Sequence, residues 1–401
     1  MSILLPAAFL LAAAAPPAAP PAAPQEAPAI VVTGQRIADS EASLRACLAR
    51  RCPPNEDIDA SLGHAEALLA AGDYEKARRA LLQSLDRNKD EAKRYPVAVS
   101  DLWRANGRVA AHLGLDRSYY FSTVSILRAL KAGLPKEDVR QFGARMEIAA
   151  MMGRLRGHEA ARHAYGDIAR DARRQGRPDI AAMAELRSIM NHYPPHERPR
   201  LVRAIARSND PQMRAAALEA RLALLNLAKA EGNKEQVALL SREFAGLKAN
   251  KPILIYSPPY DMIEHEVESP TDIFHHAYQS APGGITRVMD VAAFSTTKRD
   301  APGFDDMWID VGFWVTPEGK VGDLQVLRKS GDTFWAAPLL ASIARRLYTP
   351  GNGQAVDSYR VERYTYTSGF EAQTGTHLQG RGPKGRIEYL DMTPEGLASP
   401  S

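Results

Sequence analysis

Cysteine is scarce in this chain. Only Cys47 and Cys52 occur in 401 residues, so a tetrahedral thiolate metal site lacks the further soft ligands it needs. Four residues separate the two, whereas thiol redox motifs usually place two between their cysteines. What remains is a pair that can close a small loop ahead of Pro53 and Pro54 in an oxidising compartment. Long apolar runs are missing too. The nearest candidate, residues 1–15, is rich in Leu and Ala and offers Ala-x-Ala steps at residues 12–15, but it falls short of the roughly 20 residues a membrane helix requires. That build is the build of a secretory signal peptide, so the protein is expected to be exported to the periplasm, or held at the membrane where the segment is not cleaved.

Catalytic and cofactor motifs are equally sparse. No phosphate loop and no Gly-x-Ser-x-Gly elbow is present. Gly380, Gly382 and Gly385 match the dinucleotide fingerprint in letters, but Pro383 lies within them and no helical pattern follows. His265, His275 and His276, with Glu264 and Glu266, fall in a stretch without helical two-His spacing, and Pro194 and Pro195 keep His192 and His196 off a common helix face. No cofactor, no metal and no catalytic residue is therefore expected.

Charge is unevenly spread. The net charge is +4, yet residues 37–250 carry about nine more basic than acidic groups and residues 252–401 about six more acidic than basic. The basic excess is densest from Arg140 to Arg207, which reads either as a solvated helix face or as a site for acidic partners or anionic lipid. Export would separate the protein from nucleic acid, so none is expected as a partner.

Along the chain, residues 16–39 form a Pro- and Ala-rich spacer holding the β-prone segment Ile30, Val31, Val32, Thr33 and Gly34. Residues 40–250 carry apolar positions three and four apart, broken at glycines. One helical hairpin is explicit: Leu62, Ala65, Leu68 and Leu69, a turn at 71–74, then Ala77, Leu81 and Leu85. With Gly63, Gly72, Asp73 and Tyr74, this stretch resembles a tetratricopeptide repeat, and a second pair of helices is expected around Gly232. Gly157 and Gly176 mark further turns, and Pro194, Pro195 and Pro199 a break. No strict period covers the region, so the expectation is a degenerate solenoid, an all-α array of helical hairpins.

Residues 251–303 gather Pro and Gly and read as a linker. Residues 304–391 read as a small α+β domain, with residues 392–401 a tail. Ile309, Val311, Phe313 and Val315 alternate with polar or small residues, as a half-buried strand would. Pro317 to Lys320 turns the chain into a strand carrying Val321, Leu324, Val326 and Leu327; Trp335, Leu339, Leu340, Ile343, Ala344 and Leu347 recur at helical spacing. A third strand is expected over residues 359–367 and a fourth over 386–390. This order, with Pro317, Gly319, Ser330, Gly331, Ala337, Ala341, Arg345, Arg346, Tyr348 and Pro350, resembles the C-terminal domain of the TonB energy transducer family. Thr333 to Trp335 stands where that family carries Leu-Asp.

The resemblance implies a sheet edge that accepts an extended peptide, expected at Tyr359, Val361, Arg363, Tyr364 and Thr365. Ile30 to Gly34 resembles the TonB box of TonB-dependent receptors; it would either pair with such an edge or pack on the first helices. The functional expectation is a periplasmic protein-protein interaction or scaffold protein, not an enzyme, whose partners are envelope proteins such as a TonB-dependent receptor, a transducer or a second copy. The alternatives are a transducer-like component of outer-membrane transport and a hydrolase whose residues meet only in the fold.

Overall fold

The computed structural model describes residues 36–245, 252–258, 307–349, 359–372 and 379–393. The expected signal segment at residues 1–15, Ile30 to Gly34 and the histidines at 265, 275 and 276 lie outside them. The expected helical array is present. Its helices are α1 (Ile37–Ala49), α2 (Pro54–Ala71), α3 (Tyr74–Asn88), α4 (Pro96–His112), α5 (Asp116–Gly133), α6 (Val139–Arg156), α7 (His158–Arg174), α8 (Pro178–His192), α9 (Arg198–Ala206), α10 (Arg214–Ala230) and α11 (Lys234–Ala245). None is long and apolar enough to cross a membrane. Consecutive helices pack on one another, and alanines make this possible. Ala149, Ala161, Ala172 and Ala184 are fully buried in the α6–α7–α8 core beside Phe142, Tyr165 and Ile168, where a larger side chain would hold the helices apart.

Helix boundaries follow local chemistry. Pro54 opens α2, where its missing N–H costs nothing. Gly72 closes it in the left-handed region at φ 88°, and Asp73 then caps α3 by accepting from the Lys76 N–H at 3.1 Å. Cys47 and Cys52 form a disulfide with Cα atoms 5.2 Å apart, which ties the end of α1 to the entrance of α2.

The C-terminal residues supply β1 (Leu254–Tyr256), β2 (Trp308–Val315), β3 (Val321–Ser330), α12 (Ala336–Ala344), β4 (Leu347–Tyr348), β5 (Tyr359–Ala372) and β6 (Gln379–Asp391). Two expectations are corrected. Part of the presumed linker is structured: β1 pairs antiparallel with β4, and its Ile255 carbonyl accepts from Asn226 of α10 at 2.6 Å. A short apolar run between prolines had no period by which to announce itself. Leu347, expected on the helix, belongs to β4; α12 stops at Ala344, and the Tyr348 N–H donates to the Gly319 carbonyl at 2.8 Å.

β2, β3, β5 and β6 form one antiparallel sheet in the order β3-β2-β5-β6. Alternation sorts its faces. Ile309, Val311, Phe313, Val315, Tyr364 and Tyr366 meet Trp335, Leu339 and Ile343 of α12 in a core. The opposite face was expected to meet water. Instead Trp308, Asp310, Arg363 and Thr365 are buried against the helical array, and only Trp314 of β2 is exposed.

Candidate functional site

Between the array and the sheet lies a buried polar seam. Arg363, fully buried in β5, grips Asp310 through Nε–Oδ1 at 2.6 Å and Nη2–Oδ2 at 2.9 Å, while Arg328 reaches the same carboxylate at 2.6 Å. Both arginines also donate to the Ala70 carbonyl at 2.9 Å, and Arg363 to that of Leu69. The last carbonyls of a helix lack intrahelical donors and carry the negative end of its dipole. Two cations satisfy both requirements at once. Trp308 lies against Arg363, ring centroid to guanidinium 4.1 Å, and packs so close to the α2–α3 turn that a Cβ on Gly72 would come within 2.6 Å of its ring.

The next hairpin repeats the device. Arg381 of β6 donates to the Leu113 carbonyl, just past α4, at 2.8 Å, and Arg386 forms a two-pronged pair with Asp116 at the start of α5. Between the two hairpins, Tyr74 and His112 stack at 5.4 Å, and both reach the Thr365 hydroxyl at 2.8 Å. Burial, then the nearby Arg363, Arg108 and Arg154, push the His112 pKa down to about 3, so this imidazole is neutral.

Beside the seam, a cleft of about 230 Å³ opens between α2, α3 and α4 and is closed at one side by Leu390 of β6. Leu62, Ala65, Leu69, Leu81 and Val109 make an apolar floor. Glu66, Asp101, Arg104 and Arg108 ring it. Arg104 is tied to Asp101 at 2.5 Å and to Glu147 of α6 at 3.1 Å. Glu66 has no hydrogen bond or ion pair within 4 Å among the described residues. Crowding raises its carboxyl pKa against the opposing pull of Arg108, although the side chain still reaches water at the mouth. Burial likewise raises the Asp101 carboxyl against Arg104, and burial followed by the charge of Arg104 lowers Arg108. The three shifts share one cause, the partial burial of charged groups around the apolar floor.

The structure brings together some expected site residues and separates others. Tyr359, Val361, Arg363, Tyr364 and Thr365, expected on an open edge, lie on an interior strand: β5 pairs with β2 on one side and β6 on the other. From Val361 to Thr365 its backbone is paired on both sides, and Val361, Arg363, Tyr364 and Thr365 are buried. Among the described residues the outer strands of the sheet are β3 and β6. The Arg363 and Thr365 side chains serve the seam instead, while Tyr364 joins a second buried network in which Arg346 holds Glu362 at 2.7 Å and the Tyr364 hydroxyl at 2.8 Å. Gly380, Gly382 and Gly385 fall within the extended β6. Among the described residues no group of three or more His, Cys, Asp or Glu is placed to hold a metal.

The cleft residues were not foreseen. Asp101, Arg104 and Arg108 recur at three and four residues along α4, a spacing that marks one helix face without saying whether that face meets water or a partner.

Comparison with known proteins yields little. No family model matches the chain, and no curated protein matches it. Among solved structures it is similar to BtubC (BKLC) from P. vanneervenii, with a TM-score of 0.39 and 15% identity over 58% of this chain and 97% of that one.

Proposed function

We propose that the protein is an exported, periplasmic interaction protein that works by binding an extended segment of an envelope protein, not by catalysis. The observation that carries this reading is the cleft between α2 and α4. Its apolar floor suits a Leu- or Phe-sized side chain, and Glu66, a carboxylate at the mouth with no ion-pair partner among the described residues, suits a Lys or Arg beside it. The array supplies the rigid frame: helices α2 to α6 fix the lining side chains, and the seam fixes Leu390. The Cys47–Cys52 disulfide and the short apolar leader support export. The resemblance of residues 304–391 to the TonB C-terminal domain belongs to the same reading, but a sheet-edge mode of binding falls to an outer strand, β3 or β6, since β5 lies between β2 and β6.

The test is photocrosslinking from position 105, at the rim of the cleft, in cells exporting the full chain. Leu239, an exposed leucine on α11, is the control position. The expected result is a defined peptide adduct from position 105 and none from 239, the adduct carrying an apolar residue next to a basic one. Equal labelling at both positions would contradict cleft binding.

A further inference from the structure

Away from the cleft, the corner where α7 begins, α8 ends and α9 begins gathers four nitrogen-bearing side chains. His158 is the first residue of α7 and His192 the last of α8; their Nδ1 atoms are 3.0 Å apart. His192 leans over the Tyr165 ring at 5.8 Å. Arg162 lies over the Tyr193 ring at 5.6 Å, and Arg198 donates its Nε to the Tyr193 carbonyl at 2.8 Å. Burial lowers the His192 pKa first, and His158, Arg162 and Arg198 lower it further, so the four groups share one electrostatic neighbourhood.

Among the described residues this corner shows no counter-charge, whereas several arginines close to it in sequence have one. Elsewhere in the array arginines hold carboxylates: Arg145 and Arg174 hold Asp171, Arg170 holds Asp167, Arg173 holds Glu185 and Arg177 holds Asp179. Among the described residues none of His158, Arg162, His192 or Arg198 is within 4 Å of a carboxylate. The acids adjacent in sequence, Glu159 and Glu197, lie instead beside His163 at 3.9 Å and His196 at 3.7 Å, exposed contacts that become ion pairs only when those imidazoles are protonated. Among the described residues Arg198 bonds through its Nε alone, and its two terminal nitrogens have no partner there. The α7 amino terminus, uncapped because Gly157 has no side chain, adds a field of the same sign.

We propose that this corner binds a phosphate-type oxyanion, held by the guanidinium groups of Arg162 and Arg198 and by the Nε2–H of His158, the imidazole N–H left over when the His192 Nδ1–H donates to the His158 Nδ1. Planar guanidinium forks match the oxygen spacing of a phosphate, and each charge-assisted bond to it is stronger than a neutral one. The anion comes either as a free phosphate or phosphoester or as the headgroup of an anionic lipid.

The experiment uses the full chain with its disulfide intact, at low ionic strength. Inorganic phosphate is titrated while the imidazole ¹H–¹⁵N resonances of His158 and His192 are followed. Separately, the protein is sedimented with phosphatidylcholine vesicles with and without phosphatidylglycerol. Binding in either arm supports the site, provided that Arg162→Gln and Arg198→Gln together weaken it by about tenfold or more, as loss of charge-assisted bonds should. Response to phosphate identifies a soluble anion; response to phosphatidylglycerol vesicles alone identifies a headgroup. Because Arg198→Gln also removes a bond to Tyr193, the Arg162→Gln single variant is measured beside it, with its melting curve as the fold control. No response in either arm, or undiminished binding by a folded variant, would overturn the proposal.

Discussion

Arg363, in the middle of the sheet, donates to the backbone carbonyl of Ala70, 293 residues earlier, at 2.9 Å. Together with its grip on Asp310, this makes Arg363 the group through which the C-terminal sheet caps the first helical hairpin.

Arg363→Met should therefore destabilise the whole chain, because it removes two of the bonds that hold the buried Asp310 carboxylate and leaves the Leu69 carbonyl without its cation. Breaking a buried pair by removing one partner costs about 3–5 kcal/mol; here Arg328 remains beside Asp310, so the loss should fall toward the lower figure. Arg363→Lys should recover little, since a single ammonium cannot serve a carboxylate and two carbonyls in that geometry. Urea unfolding followed by circular dichroism reads both. Array and sheet should unfold in one transition in the wild type.

Gly72→Ala should cost more than Gly232→Ala. Both glycines sit at positive φ, 88° and 71°, where an L side chain costs about 1–2 kcal/mol. At Gly232 the added methyl meets open space, whereas at Gly72 it meets the Trp308 ring at 2.6 Å. The excess of the Gly72 variant over the Gly232 variant in thermal unfolding measures how tightly the turn is pressed on the sheet.

Acid should weaken the fold in two stages. His112 has a folded pKa of about 3 against 6.5 when unexposed to the fold. As the pH falls from 6.5 toward 3 the unfolded chain takes a proton that the folded chain refuses, so stability drops by up to about 1.4 kcal/mol per pH unit. Above 6.5 both states are neutral and the slope vanishes. Asp57, whose carboxyl is held below its ordinary 3.8 by Arg87 and Asn88 although burial opposes them, contributes stability that is present above 3.8 and is lost below it. His112→Phe should flatten the first stage and leave the second, as read by denaturant midpoints from pH 7 to pH 3.

Reduction should loosen the start of the array. Opening the Cys47–Cys52 bond removes the tie between α1 and α2, and hydrogen exchange in α1 should quicken on adding dithiothreitol while that of α4 and α7 holds. Mass spectrometry of exported protein under non-reducing conditions should find no free thiol.

The hairpin of α2 and α3 was legible because Leu62, Ala65, Leu68 and Leu69 keep helical period up to Gly72. β2 was legible because Ile309 to Val315 alternates. Both signals are local. β5 misled because Arg363, Thr365 and Thr367 alternate with Tyr364 and Tyr366 as solvent-facing residues would, and nothing nearby in sequence says that the polar face is covered. Its cover comes from α2, α3 and α4, whose contacts to β5 span 253 to 294 residues. The cleft was hidden for a related reason: Glu66 and Arg108 each look like an ordinary charge on a helix face until α2 and α4 are laid side by side.

The cleft itself is tested most directly by calorimetry. The peptide recovered by crosslinking at position 105 is titrated into the wild type and into Ala105→Trp, in which an indole fills the cleft from a partly exposed position. The account predicts saturable binding to the wild type, loss of it in Ala105→Trp, and weakening by about tenfold in Glu66→Gln, the effect of one lost ion pair of about 1.4 kcal/mol. Equal affinity for the wild type and a folded Ala105→Trp would contradict it.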